Sequence, residues 1–309
     1  MIKNITILGA GESGFGAAML ANQKGHNVFV SDSGNIREDI KSIFLENSIK
    51  FEEKNHSFGK IEFSDLVIKS PGISNSSEII SKIRSIDIPI ISEIEFASSY
   101  SNSFKICITG TNGKTTTTKL IHHILNKSGL DVGLAGNIGD SFSKMLLSGD
   151  KDIYVIEISS FQLDDIKKFK PNISIITNII EDHLDRYEND FSKYVDAKMK
   201  IIMNQDESDY LIYNSDDNIV SQLNKNAAGE FVYRKLSIEY GNDLLMLLNE
   251  EGDLTFQKNT IYPGVDILIA TTKRFAQLYF QNGINLNELL MWMLTSTLWR
   301  NGSNGAFKN

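Results

Sequence analysis

A glycine-rich turn between an apolar run and an amphipathic stretch constrains this chain more than any other feature. Residues 106–118 read Ile-Cys-Ile-Thr-Gly-Thr-Asn-Gly-Lys-Thr-Thr-Thr-Thr, and apolar residues at helical spacing follow from Leu120 to Leu125. The order of strand, glycine loop and helix is typical of phosphate-binding loops, because backbone N–H groups at a helix N-terminus point at phosphate oxygens. In this interpretation Lys114 reaches the outer phosphates of ATP and the Thr115 hydroxyl binds Mg²⁺.

The spacing of the loop departs from the common P-loop pattern, which has four residues between its first glycine and the Gly-Lys pair. Gly110 is too close to Gly113 for that pattern, so a glycine turn that binds no ligand is the alternative interpretation. The residues predicted to surround the phosphates are consecutive: Gly110, Thr111, Asn112, Gly113, Lys114, Thr115 and Thr116.

Composition predicts a globular protein of two, or at most three, domains. The chain has 309 residues, 41% of them hydrophobic and 23% charged, which is enough apolar material for packed cores. Its net charge of −8 and the lack of a basic run argue against nucleic acid as a partner. Cys107 is the only cysteine, so no disulfide forms within the chain and a buried thiol is expected. Because neither a signal-peptide pattern nor a long apolar run occurs, we expect a cytoplasmic protein without membrane contact. A monomer is also expected.

Short apolar runs alternate with helical stretches, which predicts an α/β protein with parallel, doubly wound sheets. A Rossmann-like domain is predicted over residues 1–93 and a P-loop ATPase-type α/β domain over residues 94–258, with the polar stretch 99–103 as linker. Residues 259–309 fit neither domain and are expected to form a divergent tail. The predicted strands are 5–8, 28–30, 66–68, 105–108, 131–134, 153–158, 173–177 and 210–213.

A second glycine loop, Gly9-Ala-Gly-Glu-Ser-Gly14, follows the first strand and opens a helix. Such glycines permit a tight turn, a close approach to a phosphate and tight helix–strand packing. Asp32 ends the second strand, where its carboxylate is predicted to bind a ribose or a base edge. Two alternatives stay open: a nicotinamide or flavin enzyme, and a purely structural turn.

Three further polar positions are candidates for a site. Glu157 closes an apolar strand and could hold Mg²⁺ as a Walker B carboxylate does, with a surface glutamate as the equal alternative. Residues 177–187 place His183 in a loop rich in carboxylates, although most such loops are solvated turns. Lys198 lies on a predicted helix, and nothing local distinguishes it from Lys193 or Lys200.

Taken together, five strings resemble the Mur ligase superfamily: GTNGKTTTT, AGNIGDS, EISSFQL, NIIEDHLDRY and DAKMKI. That family's phosphate loop has the shorter glycine spacing seen here. The SSFQL string and the N-terminal series GAGESG, SD and SPG look like its D-glutamate-adding branch. The resemblance covers residues 1 to about 255, and it is specific because the five signatures occur in the family's order.

The resemblance implies an ATP-dependent ligase of peptidoglycan precursor synthesis. ATP would phosphorylate the carboxylate of UDP-N-acetylmuramoyl-L-alanine, and the amine of D-glutamate would attack the acyl phosphate to form an amide. The implied catalytic residues are Lys114, Glu157, His183 and Lys198. Two Mg²⁺ ions are implied, the first on Thr115 and Glu157 and the second on His183. Lys198 matches the family's carbamylated lysine, whose added carboxylate is an oxygen ligand suited to a hard cation.

The resemblance also implies the residues that bind substrate. Asn137 and Ser159 match positions that contact the amino-acid or sugar arm. The positions that match the uridine-diphosphate pocket are Glu12, Ser13, Asp32, Ser33, Ser70, Pro71 and Gly72. Each glycine loop then holds a nucleotide of its own, so no redox cofactor is needed.

Two signatures of the family are expected after residue 183 and do not occur. One is a His-Asn-x-x-Asn segment, and the other is the Asn-Asp-Ser-Lys-Ala-Thr-Asn string that opens a third domain. We therefore expect the third domain to be missing and residues 259–309 to be its frameshifted remnant, with a genuine divergent tail as the alternative. Little ligase turnover is expected without the domain that binds the amine donor, and a remnant that only binds a UDP-sugar is the second hypothesis.

Overall fold

The computed structural model describes residues 3–213 and 219–220 and places most of them in two five-stranded parallel sheets. The strands of the first sheet are β1 (Asn4–Leu8), β2 (Asn27–Ser31), β3 (Lys50–Glu52), β4 (Leu66–Lys69) and β5 (Ile90–Ser92). Its helices are α1 (Glu12–Gln23), α2 (Glu38–Glu46), α3 (Phe58–Ile61) and α4 (Glu78–Ser85), and α5 (Glu93–Ser98) leads to the second sheet.

The second sheet contains β6 (Phe104–Thr109), β7 (Val132–Gly136), β8 (Ile153–Glu157), β9 (Ile173–Ile176) and β10 (Tyr210–Tyr213). The helices around it are α6 (Lys114–Lys127), α7 (Phe142–Leu146), α8 (Ser160–Leu163) and α9 (Phe191–Met199). Short 3₁₀ segments at Leu184–Tyr187 and Lys200–Ile202 flank α9.

The first sheet has the strand order β3-β2-β1-β4-β5, so the direction of winding reverses beside β1. All four residues of β4 and the last four of β1 are buried, because helices cover both faces of a parallel sheet. Ligands of such sheets bind at the carboxyl ends of strands next to the reversal. That edge of the sheet carries the loops that follow Leu8, Ser31 and Lys69.

The second sheet has the order β10-β9-β6-β8-β7, with β6 at its centre. The register pairs Ile108 of β6 with Glu157 of β8, and it pairs Thr109 with Ile176 of β9. The loops after these three strands therefore emerge side by side. This edge collects the phosphate loop, the Ser159 segment and the polar loop that contains His183.

The two sheets are joined by helix packing and by polar contacts. Helices α1 and α5 both pack on α7. The carboxylate of Glu95 accepts hydrogen bonds from three successive backbone N–H groups, those of residues 167–169. Lys69, at the end of β4, is 2% exposed and lies 2.8 Å from Oδ2 of Asp165, an ionic contact rather than an aligned hydrogen bond.

The predicted α/β class with two parallel sheets is confirmed, and every predicted strand is present within two residues of its expected ends. The short edge strands β3 and β5 have no counterpart among the predicted ones. Cys107 is buried, as expected. The stretch 99–103 has more contacts with the rest of the protein than a linker usually has. Ser101 is buried, and its hydroxyl donates to the carboxylate of Asp150 at 2.9 Å.

The domain limits at residues 93 and 258 stay predictions. The predicted tail over residues 259–309 and its proposed frameshift lie outside the described residues. Among the residues that the structure covers, no helix has the length and apolar character needed to cross a bilayer.

Candidate functional site

The phosphate loop is shaped by two glycines with positive φ. Gly110 has φ +143°, and a Cβ at this position would lie 1.9 Å from Oγ1 of Thr177. Gly113 has φ +81° and caps the N-terminus of α6. Neither position accommodates another residue without strain. The loop therefore delivers free N–H groups of the first turn of α6 to its open side, where phosphate oxygens can bind.

The segment after β9 supports the loop from behind. Thr177 Oγ1 and Asn178 Nδ2 both donate to the carbonyl of Asn112, at 2.7 and 3.0 Å. The hydroxyl of Thr111 donates to the carbonyl of Ile180 at 3.1 Å. The polar loop predicted from residues 177–187 is thus a structural partner of the phosphate loop and more than a solvated turn.

Glu157 is a buried carboxylate beside the phosphate loop, with 1% of its surface exposed. Its Oε2 accepts a hydrogen bond from Thr115 Oγ1 at 2.8 Å, and its Oε1 accepts one from Asn137 Nδ2 at 2.8 Å. The surface-glutamate alternative is therefore wrong. A hydroxyl and a carboxylate oxygen held side by side fit the ligand preference of Mg²⁺.

Lys198 is a buried cation, 2% exposed, that reaches the same loop from α9. Its Nζ donates to the carbonyl of Gly110 at 2.7 Å and lies 4.6 Å from the ring centroid of Tyr194. Burial, followed by the nearby charge of Lys114, lowers the pKa of Lys198 to about 7. As an ammonium it cannot bind a metal ion, whereas a carbamate at this position could.

The neighbouring lysines on the same segment differ in their surroundings. Lys193 is exposed and pairs with Glu188, and Lys200 contacts Asp164. Lys114 folds back on its own loop and donates to the carbonyls of Gly110 and Thr111 at 2.9 and 2.8 Å. Only tertiary structure distinguishes Lys198 from the other lysines.

One cavity brings together five of the predicted site residues: Lys114, Asn137, Ser159, His183 and Lys198. His183 is exposed at its mouth in a left-handed conformation with φ +49°. Within the part of the chain that the structure describes, no three His, Cys, Asp or Glu side chains meet in a metal-binding group. A cation in this cavity would therefore need oxygens from Thr115, a phosphate or a carbamate as well.

Four residues of the cavity were not predicted: Ser160, Phe161, Asp182 and Tyr194. Two of them could have been found from spacing. Tyr194 precedes Lys198 by one helical turn, which places both on one face of α9. Asp182 is adjacent to His183, and its Oδ1 accepts the His183 backbone N–H at 2.9 Å.

The loops of the first sheet are closely packed around the second glycine motif. A Cβ on Gly14 would lie 1.9 Å from the carbonyl oxygen of Gly9. Asp32 accepts from the backbone N–H of Ala10 at 2.6 Å and from that of Gly34 at 2.7 Å. The Oγ of Ser70 is buried without a hydrogen-bond partner. The carboxylate of Asp32 therefore orders both neighbouring loops.

The other residues predicted to bind the uridine diphosphate are at least partly exposed. Ser33 and Gly72 are exposed, and Ser13 and Pro71 are half-buried. The carboxylate of Glu12 lies 3.2 Å from Nζ of Lys144 on α7. In the structure Glu12 is thus a contact between the two sheets.

Comparison with known proteins assigns both halves of the described region. Residues 4–79 match the profile of the MurD N-terminal domain, and residues 108–261 match that of the Mur ligase middle domain. A protein from Christiangramia forsetii named UDP-N-acetylmuramoylalanine–D-glutamate ligase is 48% identical over 73% of this chain and 51% of its own length. A protein of the same name from Bacteroides thetaiotaomicron is 49% identical over 72% of this chain and 50% of its own length. The chain thus spans about half the length of these curated relatives.

A solved structure has the same fold. It is the UDP-N-acetylmuramate:L-alanyl-gamma-D-glutamyl-meso-diaminopimelate ligase from Neisseria meningitides, with a TM-score of 0.51 and 18% identity. The alignment covers 73% of this chain and 75% of that one. At this identity the likeness concerns the fold alone.

The two wound sheets and the glycine loop at the N-terminus of α6 define an α/β protein whose loop has the form typical of phosphate-binding loops. The domain matches and the curated relatives then specify the family. The chain belongs to the Mur ligase family.

Proposed function

We propose that this chain carries the UDP-sugar and ATP sites of a ligase that adds D-glutamate to UDP-N-acetylmuramoyl-L-alanine in peptidoglycan precursor synthesis. The observation that carries the proposal is the Thr115–Glu157 pair next to a cavity lined by Lys114 and Lys198. The names of the curated relatives supply the substrates. In this proposal residues 1–93 bind the UDP-sugar and residues 94–258 bind ATP.

The residues of the phosphate loop have distinct tasks in such a reaction. The loop amides and Lys114 would stabilise the negative charge on the phosphoryl group as it moves to the substrate carboxylate. To do this Lys114 must exchange its two loop carbonyls for phosphate oxygens, which are stronger acceptors. Asn137 and Ser159, which line the same cavity, would orient the arm that carries the carboxylate.

Two Mg²⁺ ions complete the proposal. The first would bind Thr115 and Glu157, and the second would bind His183 together with a carbamylated Lys198. When bound, Mg²⁺ neutralises charge on the phosphates and on the substrate carboxylate. Thr115 and Glu157 fit this role as they stand, whereas Lys198 fits only after modification.

Carbamylation of Lys198 is chemically reasonable for a buried amine. Because its pKa is lowered to about 7, a substantial neutral fraction exists near neutral pH. The neutral amine can attack CO₂, forming an N–C bond and releasing one proton to solvent, which leaves an anionic carbamate. With ¹³C-labelled bicarbonate, we expect a carbamate carbon signal in the unchanged protein and none in Lys198→Met.

The function can be tested by calorimetry and product analysis on the full 309-residue chain. UDP-N-acetylmuramoyl-L-alanine and a non-hydrolysable ATP analogue with Mg²⁺ are each expected to bind, and NAD is expected not to bind. Addition of ATP and D-glutamate should then show whether amide product and phosphate form. Binding of the UDP-sugar without phosphate release would favour the non-catalytic alternative, and failure of both ligands to bind would refute the proposal. A cytoplasmic location and a monomeric state stay predictions.

A further inference from the structure

Arg186 connects the loop that contains His183 to the first sheet. One terminal nitrogen of its guanidinium donates to the carbonyl of Pro71 at 3.1 Å, and the other donates to the carbonyl of Gly72 at 3.3 Å. Both carbonyls belong to the turn after β4 that the proposed function assigns to the UDP-sugar. A side chain from the ATP-binding sheet thus holds a turn of the other sheet.

The guanidinium is oriented by an aromatic ring of the cavity. Its central carbon lies 4.5 Å from the ring centroid of Phe161, which lines the cavity with Lys114 and Lys198. That ring is itself stacked on Tyr187, with centroids 5.9 Å apart and an interplanar angle of 9°. A planar guanidinium can stack on a ring and still donate within its own plane, which a lysine ammonium cannot do.

The backbone of Arg186 is bonded within the loop that contains His183. Its N–H donates to the carbonyl of His183 at 3.0 Å. On the other side, the turn is closed by a hydrogen bond from the Ile73 N–H to the Ser70 carbonyl at 3.1 Å, and Lys69 Nζ donates to the Ile73 carbonyl at 3.2 Å. The Pro71–Gly72 turn is therefore a short segment between fixed ends, and Arg186 contacts it at its apex.

We propose that Arg186 is a positioning residue for the UDP-sugar. By holding the two carbonyls, it sets the place of the Pro71–Gly72 turn relative to the cavity in which phosphoryl transfer would occur. This role rests on the proposed function, because it assigns that turn to the UDP-sugar. It predicts that a substitution on the ATP-binding sheet weakens the binding of the other ligand selectively.

The test compares Arg186→Met, Arg186→Lys and the control Lys193→Met in the full chain. Methionine can still pack against Phe161 but removes both N–H donors. Lysine keeps the positive charge but lacks the two terminal nitrogens that bind the two carbonyls together. Lys193 is an exposed basic residue on α9 that pairs with Glu188. Calorimetry measures the affinity for UDP-N-acetylmuramoyl-L-alanine and, separately, for the ATP analogue with Mg²⁺. Circular dichroism and thermal unfolding report whether each variant is folded.

We expect Arg186→Met to weaken UDP-sugar binding about tenfold and Arg186→Lys about threefold, as for loss of charge-assisted hydrogen bonds. The ATP analogue should bind within about twofold of the unchanged chain, and Lys193→Met should alter neither affinity. Equal weakening of both ligands, or no weakening of either, would overturn the positioning role. If Arg186→Met does not fold, Arg186→Lys is tested in the same way, by whether it weakens UDP-sugar binding and leaves binding of the ATP analogue unchanged. Absence of binding by the unchanged chain would instead refute the proposed function, and with it this role.

Discussion

The hydroxyl of Thr115 donates a 2.8 Å hydrogen bond to Oε2 of Glu157 and so joins the first turn of α6 to the end of β8. The other carboxylate oxygen accepts from Asn137 Nδ2 at the same distance. Both oxygens of this buried group are therefore oriented by neutral donors. Under the proposed function, this arrangement would exchange one hydrogen bond for a shared Mg²⁺ when a nucleotide binds.

Replacing Glu157 by glutamine should remove the Mg²⁺-dependent part of ATP-analogue affinity. Glutamine has the same size and its one oxygen can still accept from Thr115, so the fold should be kept although the hydrogen bond from Asn137 is lost. A neutral amide oxygen is a much weaker ligand for Mg²⁺ than a carboxylate, and we expect affinity in the presence of Mg²⁺ to fall about tenfold or more. Calorimetric titrations with and without Mg²⁺ measure this difference.

Glu62→Gln is the matched control, because Glu62 is an exposed glutamate that follows α3 and is not part of the phosphate loop. It should bind the analogue as the unchanged chain does under both conditions. If Glu157→Gln retained the full effect of Mg²⁺, the assignment of Glu157 as a metal ligand would be wrong.

The second glycine loop offers a comparison between two of its own positions. A Cβ on Gly14 would lie 1.9 Å from the carbonyl oxygen of Gly9, a backbone atom that can move only if the loop is distorted. A Cβ on Gly11 would meet nothing within 4 Å. Gly14→Ala should therefore destabilise the protein by about 2 kcal/mol or more. Gly11→Ala should stay within about 1 kcal/mol of the unchanged chain. Urea unfolding of both variants measures their stabilities, and an equal loss of stability in the two would contradict this prediction.

The sequence was sufficient to predict the parallel α/β class because short, mostly apolar runs alternate with helical stretches, and such runs form strands that are buried on both faces. In β8, for example, all five residues are buried. The edge strands β3 and β5 have three residues each, and so short a run shows no periodicity. They were missed for that reason.

The site was predictable where residues are adjacent in sequence and unpredictable where distant elements meet. Lys114 and Thr115 follow from the glycine loop alone. The burial of Lys198 depends on the packing of α9 against Gly110, 88 residues earlier. The contact of Glu12 with Lys144 likewise requires α1 to pack on α7, which no local pattern shows.

The buried pair of Lys69 and Asp165 is a second place where distant segments meet, and it should contribute strongly to stability. Lys69 also donates to Asn75 Oδ1 at 2.9 Å, so its charge is surrounded by acceptors. Lys69→Met would leave the buried carboxylate of Asp165 with only the more distant guanidinium of Arg84, 3.9 Å from its Oδ1. Breaking a buried pair costs about 3–5 kcal/mol. The exposed pair of Lys82 and Glu78 is the control, since Lys82→Met should barely move the urea midpoint. Similar midpoints for the two variants would show that the buried pair contributes little.

Glu93, at the same junction between the sheets, should make the stability of the fold depend on pH. It begins α5 and is 1% exposed, and its Oε1 accepts the backbone N–H of Ser143 on α7 at 2.5 Å. Its Oε2 and the Ser143 hydroxyl are both buried without a hydrogen-bond partner. Burial raises the pKa of Glu93 from 4.5 to about 7, and the negative charge of Glu12 adds to the effect.

A carboxyl group whose pKa is higher in the folded protein than in the unfolded chain stabilises the fold only while it is protonated. The contribution of Glu93 to the free energy of unfolding should be complete below pH 4.5 and should be lost as the pH rises through about 7. The difference between these pKa values corresponds to roughly 3 kcal/mol. Glu93→Gln, which cannot ionise, should remove this loss, so its stability should exceed that of the unchanged chain increasingly from pH 4.5 to 7. Urea unfolding at several pH values tests this, with exposed Glu46→Gln as control; parallel curves for Glu93→Gln and the unchanged chain would refute it.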